Sequence, residues 1–118
     1  MLPSYQNSTD LLVNVTENKL YSKLIEQLNK DFHLANFDFH LSENSTPLAL
    51  KEELKKVVKN LLLTNFNTYN ALLYIVDVSE ESIKKIESSD DDIYSEQIVF
   101  LLLKRIWKKV WFRAKYSS

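Results

Sequence analysis

The chain of 118 residues contains no glycine and only two prolines. Tight two-residue hairpins rely on residues with positive φ, for which glycine is the default, so a β-rich meander is a poor solution for this sequence. Helices lose nothing from the absence of glycine and tolerate proline in their first turn. Phosphate cradles of the dinucleotide-binding and P-loop types need glycine for close backbone approach, so both are excluded. The chain also has no cysteine, which rules out disulfides, thiolate catalysis and thiolate-bound metals. An apolar fraction of 45% is enough to build a core. An all-α fold is the expectation: a single compact bundle of about five helices around a long C-terminal one.

Residues 1–16 are mostly polar, with Leu11, Leu12, Val13 and Val15 as their main apolar cluster, and read as a poorly ordered lead-in to a helical domain over residues 17–118. The first helix should start near Glu17, with Leu20, Tyr21, Leu24, Ile25, Leu28 and Phe32 on one face. Residues 34–45 then form an extended connector whose aromatics, Phe37 and Phe39, plug the core. Thr46 and Pro47 mark the next start, as N-cap and first helical residue. That helix turns Leu50, Leu54, Val57, Val58, Leu61 and Leu62 inward and Lys51, Lys55, Lys56 and Lys59 to solvent. A break near residues 64–67 precedes a short third helix carrying Tyr69, Leu72, Leu73 and Val76. Ser79 caps a fourth, which carries little core beyond Ile83 and Ile86. The last helix opens on Asp90-Asp91-Asp92 and runs to about Lys115. Between Ile98 and Leu103 it is apolar on every side, the pattern of a buried centre.

Charge is nearly balanced overall, at −1, but strongly polarised along the chain. Asp77, Glu80, Glu81, Glu87, Asp90, Asp91, Asp92 and Glu96 face only Lys84 and Lys85 in residues 77–96, a net −6. Residues 104–118 hold Lys104, Arg105, Lys108, Lys109, Arg113 and Lys115 with no acid, a net +6. Several readings stay open. Acids at the start and bases at the end of a helix complement its macrodipole, and the fourth helix could also fold back so that Glu80 and Glu81 face the bases. The same bases could instead form a patch for nucleic acid, an acidic protein partner or a membrane surface.

On a helical wheel Trp107 and Trp111 share the apolar arc, while Phe112 falls among Lys108, Lys109 and Arg113. Consecutive residues point about 100° apart, so Trp111 and Phe112 cannot both lie on one inward stripe. Aromatics and arginine are enriched in protein interfaces, so Trp111, Phe112 and Arg113 form the candidate contact with a second copy or another protein. His33 and His40, the only histidines, lack the spacing of a metal site. No serine sits in a nucleophile setting. No catalytic, cofactor, metal or small-molecule site is expected. Nor is a membrane span, since the longest apolar run has six residues against a requirement of about 20. The N-terminus lacks the pattern of a secretory signal, which makes the cytoplasm the default location.

From Lys19 to Tyr116 the chain resembles a family of short, uncharacterised bacterial cytoplasmic proteins. The resemblance rests on Leu24-Ile25 with Leu28-Asn29-Lys30-Asp31-Phe32, and on Leu72-Leu73-Tyr74 with Asp77-Val78-Ser79-Glu80. It rests also on Arg105, Lys109, Val110, Arg113, Lys115 and Tyr116. Ile75, Ile106 and Trp111 depart from the family pattern by being apolar. The resemblance implies a helical fold and a bacterial origin, and it carries no activity. The function expected from the residues is a non-enzymatic interaction or structural module that self-associates; the alternative is a nucleic-acid-binding protein using the basic end of the last helix.

Overall fold

The computed structural model describes residues 5–116. Among them are six helices and no strand: α1 Ser8–Glu17, α2 Tyr21–Leu34, α3 Pro47–Thr64, α4 Phe66–Val76, α5 Glu80–Lys84 and α6 Asp91–Tyr116. α6 packs against α1, α2, α3 and α4. At 1.5 Å per residue its 26 residues span about 39 Å, matching the 40 Å long dimension of the molecule. Ile98, Val99, Leu103, Ile106 and Trp107 along it are completely buried, and Leu102 nearly so. Phe100 and Leu101 are only half-buried, so the centre of α6 is covered on three sides and open on the fourth.

Two sequence expectations need correction at the N-terminus. Most of the supposed lead-in is a helix. Asn7 caps α1 by accepting from the Asp10 amide at 2.9 Å, and Leu11, Leu12 and Val15 are buried against the bundle. Four apolar residues in ten give this helix little autonomous stability; burial of one face holds it in place. Residues 1–4 lie outside the described residues. The next helix starts at Tyr21 and not near Glu17, because Lys19 turns the chain with φ of 59°. Asn36 and Asp77 make the other two left-handed corners, at 58° and 70°. A chain without glycine makes these turns at a steric cost, smallest for Asn and Asp.

Elsewhere the local signals and the structure agree. Thr46 accepts from the Ala49 amide with Pro47 in the first turn of α3. Asn65 ends α3 and caps α4, and Ser79 caps α5. The connector between α2 and α3 is neither helix nor strand. Phe32 of α2 meets Phe37 and Phe39 edge-on at 5.9 and 5.5 Å. Asn29 clamps this segment by accepting from the Leu41 amide at 2.7 Å and donating to its carbonyl at 3.0 Å. Leu41 is thereby held in the core, fully buried.

The lysines of α3 do not form the solvated face expected of them. Lys51, Lys55 and Lys59 turn towards the acidic start of α6, and only Lys56 of the four is fully exposed. Lys55 reaches Asp92 at 2.8 Å and Glu96 at 3.9 Å, Lys51 reaches Glu96 at 3.5 Å, and Lys59 reaches Asp92 at 3.8 Å. The hydrogen bond from Lys55 holds the Asp92 carboxyl below its ordinary value of 3.8, and the same bond raises the Lys55 ammonium above 10.5. A lowered folded-state carboxyl stabilises the fold above its unfolded pKa, and this is lost as pH falls through the folded value. A raised ammonium does the reverse, losing its contribution as pH climbs through its folded value. The strap between α3 and α6 is therefore fully formed between about pH 5 and pH 9 and weakens on either side, modestly because both groups meet solvent. An NMR pH titration should show Asp92 titrating below the ordinary value of 3.8, and Lys55→Met should remove that lowering; an Asp92 midpoint that does not move in the variant would contradict the strap.

Candidate interaction surface on the last helix

The basic half of α6 divides into two sets that face different ways. Arg105, Lys109 and Arg113 turn towards the bundle. Arg105 pairs with Asp77 at 2.9 Å, and the left-handed backbone of Asp77 places that carboxylate just past the end of α4. Lys109 pairs with Asp31 at 3.3 Å and donates to the Ile75 carbonyl at 3.4 Å. Arg113 donates to the Gln27 side-chain oxygen at 3.0 Å, and the Gln27 amide donates to Asp31 at 3.0 Å.

Gln27 and Asp31 lie one turn apart on α2 and are both buried; Lys109 and Arg113 lie one turn apart on α6. Two facing i, i+4 pairs thus close a ladder between the helices. The ladder satisfies both buried polar side chains of α2 from one face of α6, so that Gln27, Asp31, Lys109 and Arg113 form one connected network. Beside it, a cleft of about 350 Å³ opens between α2 and α6, lined by Leu20, Val110 and Ala114 together with Lys23, Glu26, Lys30 and Arg113.

Lys104, Lys108 and Lys115 turn to solvent and make no ion pair among the described residues. Lys104 sits over the Phe100 ring at 5.2 Å and Lys115 over the Trp111 ring at 5.6 Å. The aromatic residues at this end form a run of their own. Trp111 meets Phe112 edge-on at 5.2 Å, and Phe112 stacks on Tyr116 at 5.6 Å. Trp111 is half-buried against the core, Phe112 is 38% exposed and Tyr116 is 77% exposed.

The three residues singled out as an interface are therefore separated. Trp111 and Phe112 share the outer side of α6, and Arg113 is drawn across to α2. Trp107, by contrast, is wholly inside: its indole N–H donates to the Tyr5 hydroxyl at 2.8 Å, which donates to Asn14 at 2.9 Å. The polar partners of the basic arc are Asp31, Asp77 and Gln27, not Glu80 and Glu81 of α5. A carboxylate at the edge of the apolar stripe of α2, between Leu28 and Phe32, was a sequence signal that could have pointed to this ladder.

A second groove, of about 370 Å³, runs between α1 and the start of α3 and is lined largely by Leu12, Val13, Pro47 and Leu48. Among the described residues no group of three or more His, Asp or Glu is placed to hold a metal ion, and His33 and His40 are both exposed. No helix among them is long and apolar enough to cross a membrane. No family model, curated protein or solved structure matches this chain.

Proposed function

We propose that this chain is a non-enzymatic interaction module that self-associates through the outer side of α6, with Trp111 and Phe112 at the contact. The observation that carries the reading is the aromatic run Trp111–Phe112–Tyr116, stacked on itself along a solvent-facing helix end. Single exposed apolar side chains are ordinary, but a contiguous aromatic run has the composition of an interface centre, where aromatic residues are enriched. A bacterial cytoplasmic setting belongs to the same reading and rests on the sequence resemblance.

Trp111→Ala with Phe112→Ala lowers the apparent mass in sedimentation at high micromolar concentration while leaving helical circular dichroism largely intact. A wild type that is monomeric under those conditions contradicts self-association.

Lys104, Lys108 and Lys115 on the same side favour one further reading, contact with nucleic acid. Three phosphate contacts give a slope of log K against log salt of about −3, against about −5 if all six bases engaged. Absence of any gel shift at low salt removes that reading.

A further inference from the structure

On a wheel of 100° per residue with Ile93 at zero, Asp90, Ile93, Gln97, Leu101, Lys104, Lys108, Trp111, Phe112 and Lys115 all fall within an arc of about 100°. Each of them is exposed or half-buried. The arc runs the whole length of α6, with Asp90, the residue that caps the helix through its carboxylate, at one end. At the other lie lysines. A strip with opposite charges at its two ends is self-complementary when two copies lie antiparallel, and self-repelling when they lie parallel.

The register follows from the same geometry. A two-fold axis through the middle of the arc crosses α6 between Leu102 and Leu103. Residues then lie level with partners whose numbers sum to 205, each edge of the strip against its own copy: Ile93 packs beside Trp111 next to Phe112, Leu101 lies level with Lys104, Gln97 with Lys108 and Asp90 with Lys115. Apolar meets apolar, the lysine chains lie over neutral residues, and the end charges are opposite. The two Lys104 side chains come near the axis, but each ammonium is drawn aside over its own Phe100 ring. We infer that the partner for this surface is a second copy of the chain, paired antiparallel along α6 in that register.

This inference rests on the self-association reading and gives it a geometry. By helix dimensions the strip is about 35 Å long and about 10 Å wide, roughly 350 Å² per copy against the about 800 Å² per partner of a stable complex. The dimer is accordingly weak and short-lived, and it loosens as salt rises from about 0.05 M to about 0.5 M because the end charges are exposed.

The chain has no cysteine, so single cysteines introduced at Gln97→Cys and Tyr116→Cys take a spin label cleanly. Antiparallel pairing at an interaxial distance of about 9 Å places the two residues 97 about 19 Å apart and the two residues 116 about 41 Å apart. Parallel pairing places both pairs about 10 Å apart. A concentration-dependent dimer with the long distance at residue 116 is the result expected. A dimer with two short distances, or with a different register, overturns this inference and leaves self-association standing. A protein that stays monomeric at high micromolar concentration and low salt overturns both.

Discussion

Trp107→Ala is expected to lower the unfolding free energy by about 3–5 kcal/mol, the range for emptying a large aromatic site. Trp107 is the largest side chain wholly removed from solvent. Its loss opens a cavity in the part of α6 against which the other helices pack, and it strips the Tyr5 hydroxyl of the donor that reaches it from the core. A domain of this size has about 5–15 kcal/mol in all, so the variant is expected to be partly unfolded near body temperature. Trp107→Phe separates the two contributions. It keeps most of the packing and loses the N–H, at a cost of about 1–2 kcal/mol. Urea unfolding measures both. A Trp107→Ala change below about 1 kcal/mol would mean that the indole is not where the core is tightest.

Lys109→Met is the second large effect. The Asp31 side chain is 3% exposed and accepts one hydrogen bond from Lys109 and one from Gln27. Removing the ammonium leaves a buried carboxylate with a neutral amide as its remaining partner. Breaking a buried pair from one side costs about 3–5 kcal/mol; here Lys109 is a quarter exposed and water can approach, so about 2–4 kcal/mol is expected. Adding Asp31→Asn removes the stranded charge while keeping an acceptor for Gln27, and it should recover more than half of the loss. A double-mutant cycle on this pair then gives a coupling above about 1 kcal/mol. Additive effects of the two substitutions would show that the ladder does not act as a unit.

How far the sequence revealed this fold depended on whether a signal was local. The starts of α3 and α5 lay in single residues, Thr46 and Ser79, whose side chains cap their own helices; that of α4 was legible only as a break near residues 64–67, within which Asn65 is the cap. α1 was missed because its sequence is rich in Ser, Thr, Asn and Val, weak helix formers. What holds it is Leu11, Leu12 and Val15 meeting helices that come much later in the chain. The lysines of α3 looked solvated because nothing near them in sequence is paired with them; Asp92 and Glu96 reach them only through the fold.

The basic end of α6 was legible as a charge run and not as two sets with different tasks. A wheel gives directions around one helix, and it cannot show that α2 presents Asp31 and Gln27 to one side of the arc. The spacing that carries the family resemblance did mark Asp31, Asp77, Arg105, Lys109 and Arg113. The structure joins four of them as partners, Asp31 with Lys109 and Asp77 with Arg105.

The packing of α6 against four earlier helices has a consequence for how the chain acquires its structure during synthesis. α1 to α4 leave the ribosome before the element they pack on exists. Their apolar faces have only one another to cover until Ile98 to Val110 emerges, and the contact between Tyr5 and Trp107 closes a loop of 102 residues. Consolidation of the bundle therefore waits for its last helix. Until then the nascent segment exposes the surface that chaperones bind, and a chain cut before α6 is expected to be a substrate for proteases and not a smaller folded domain.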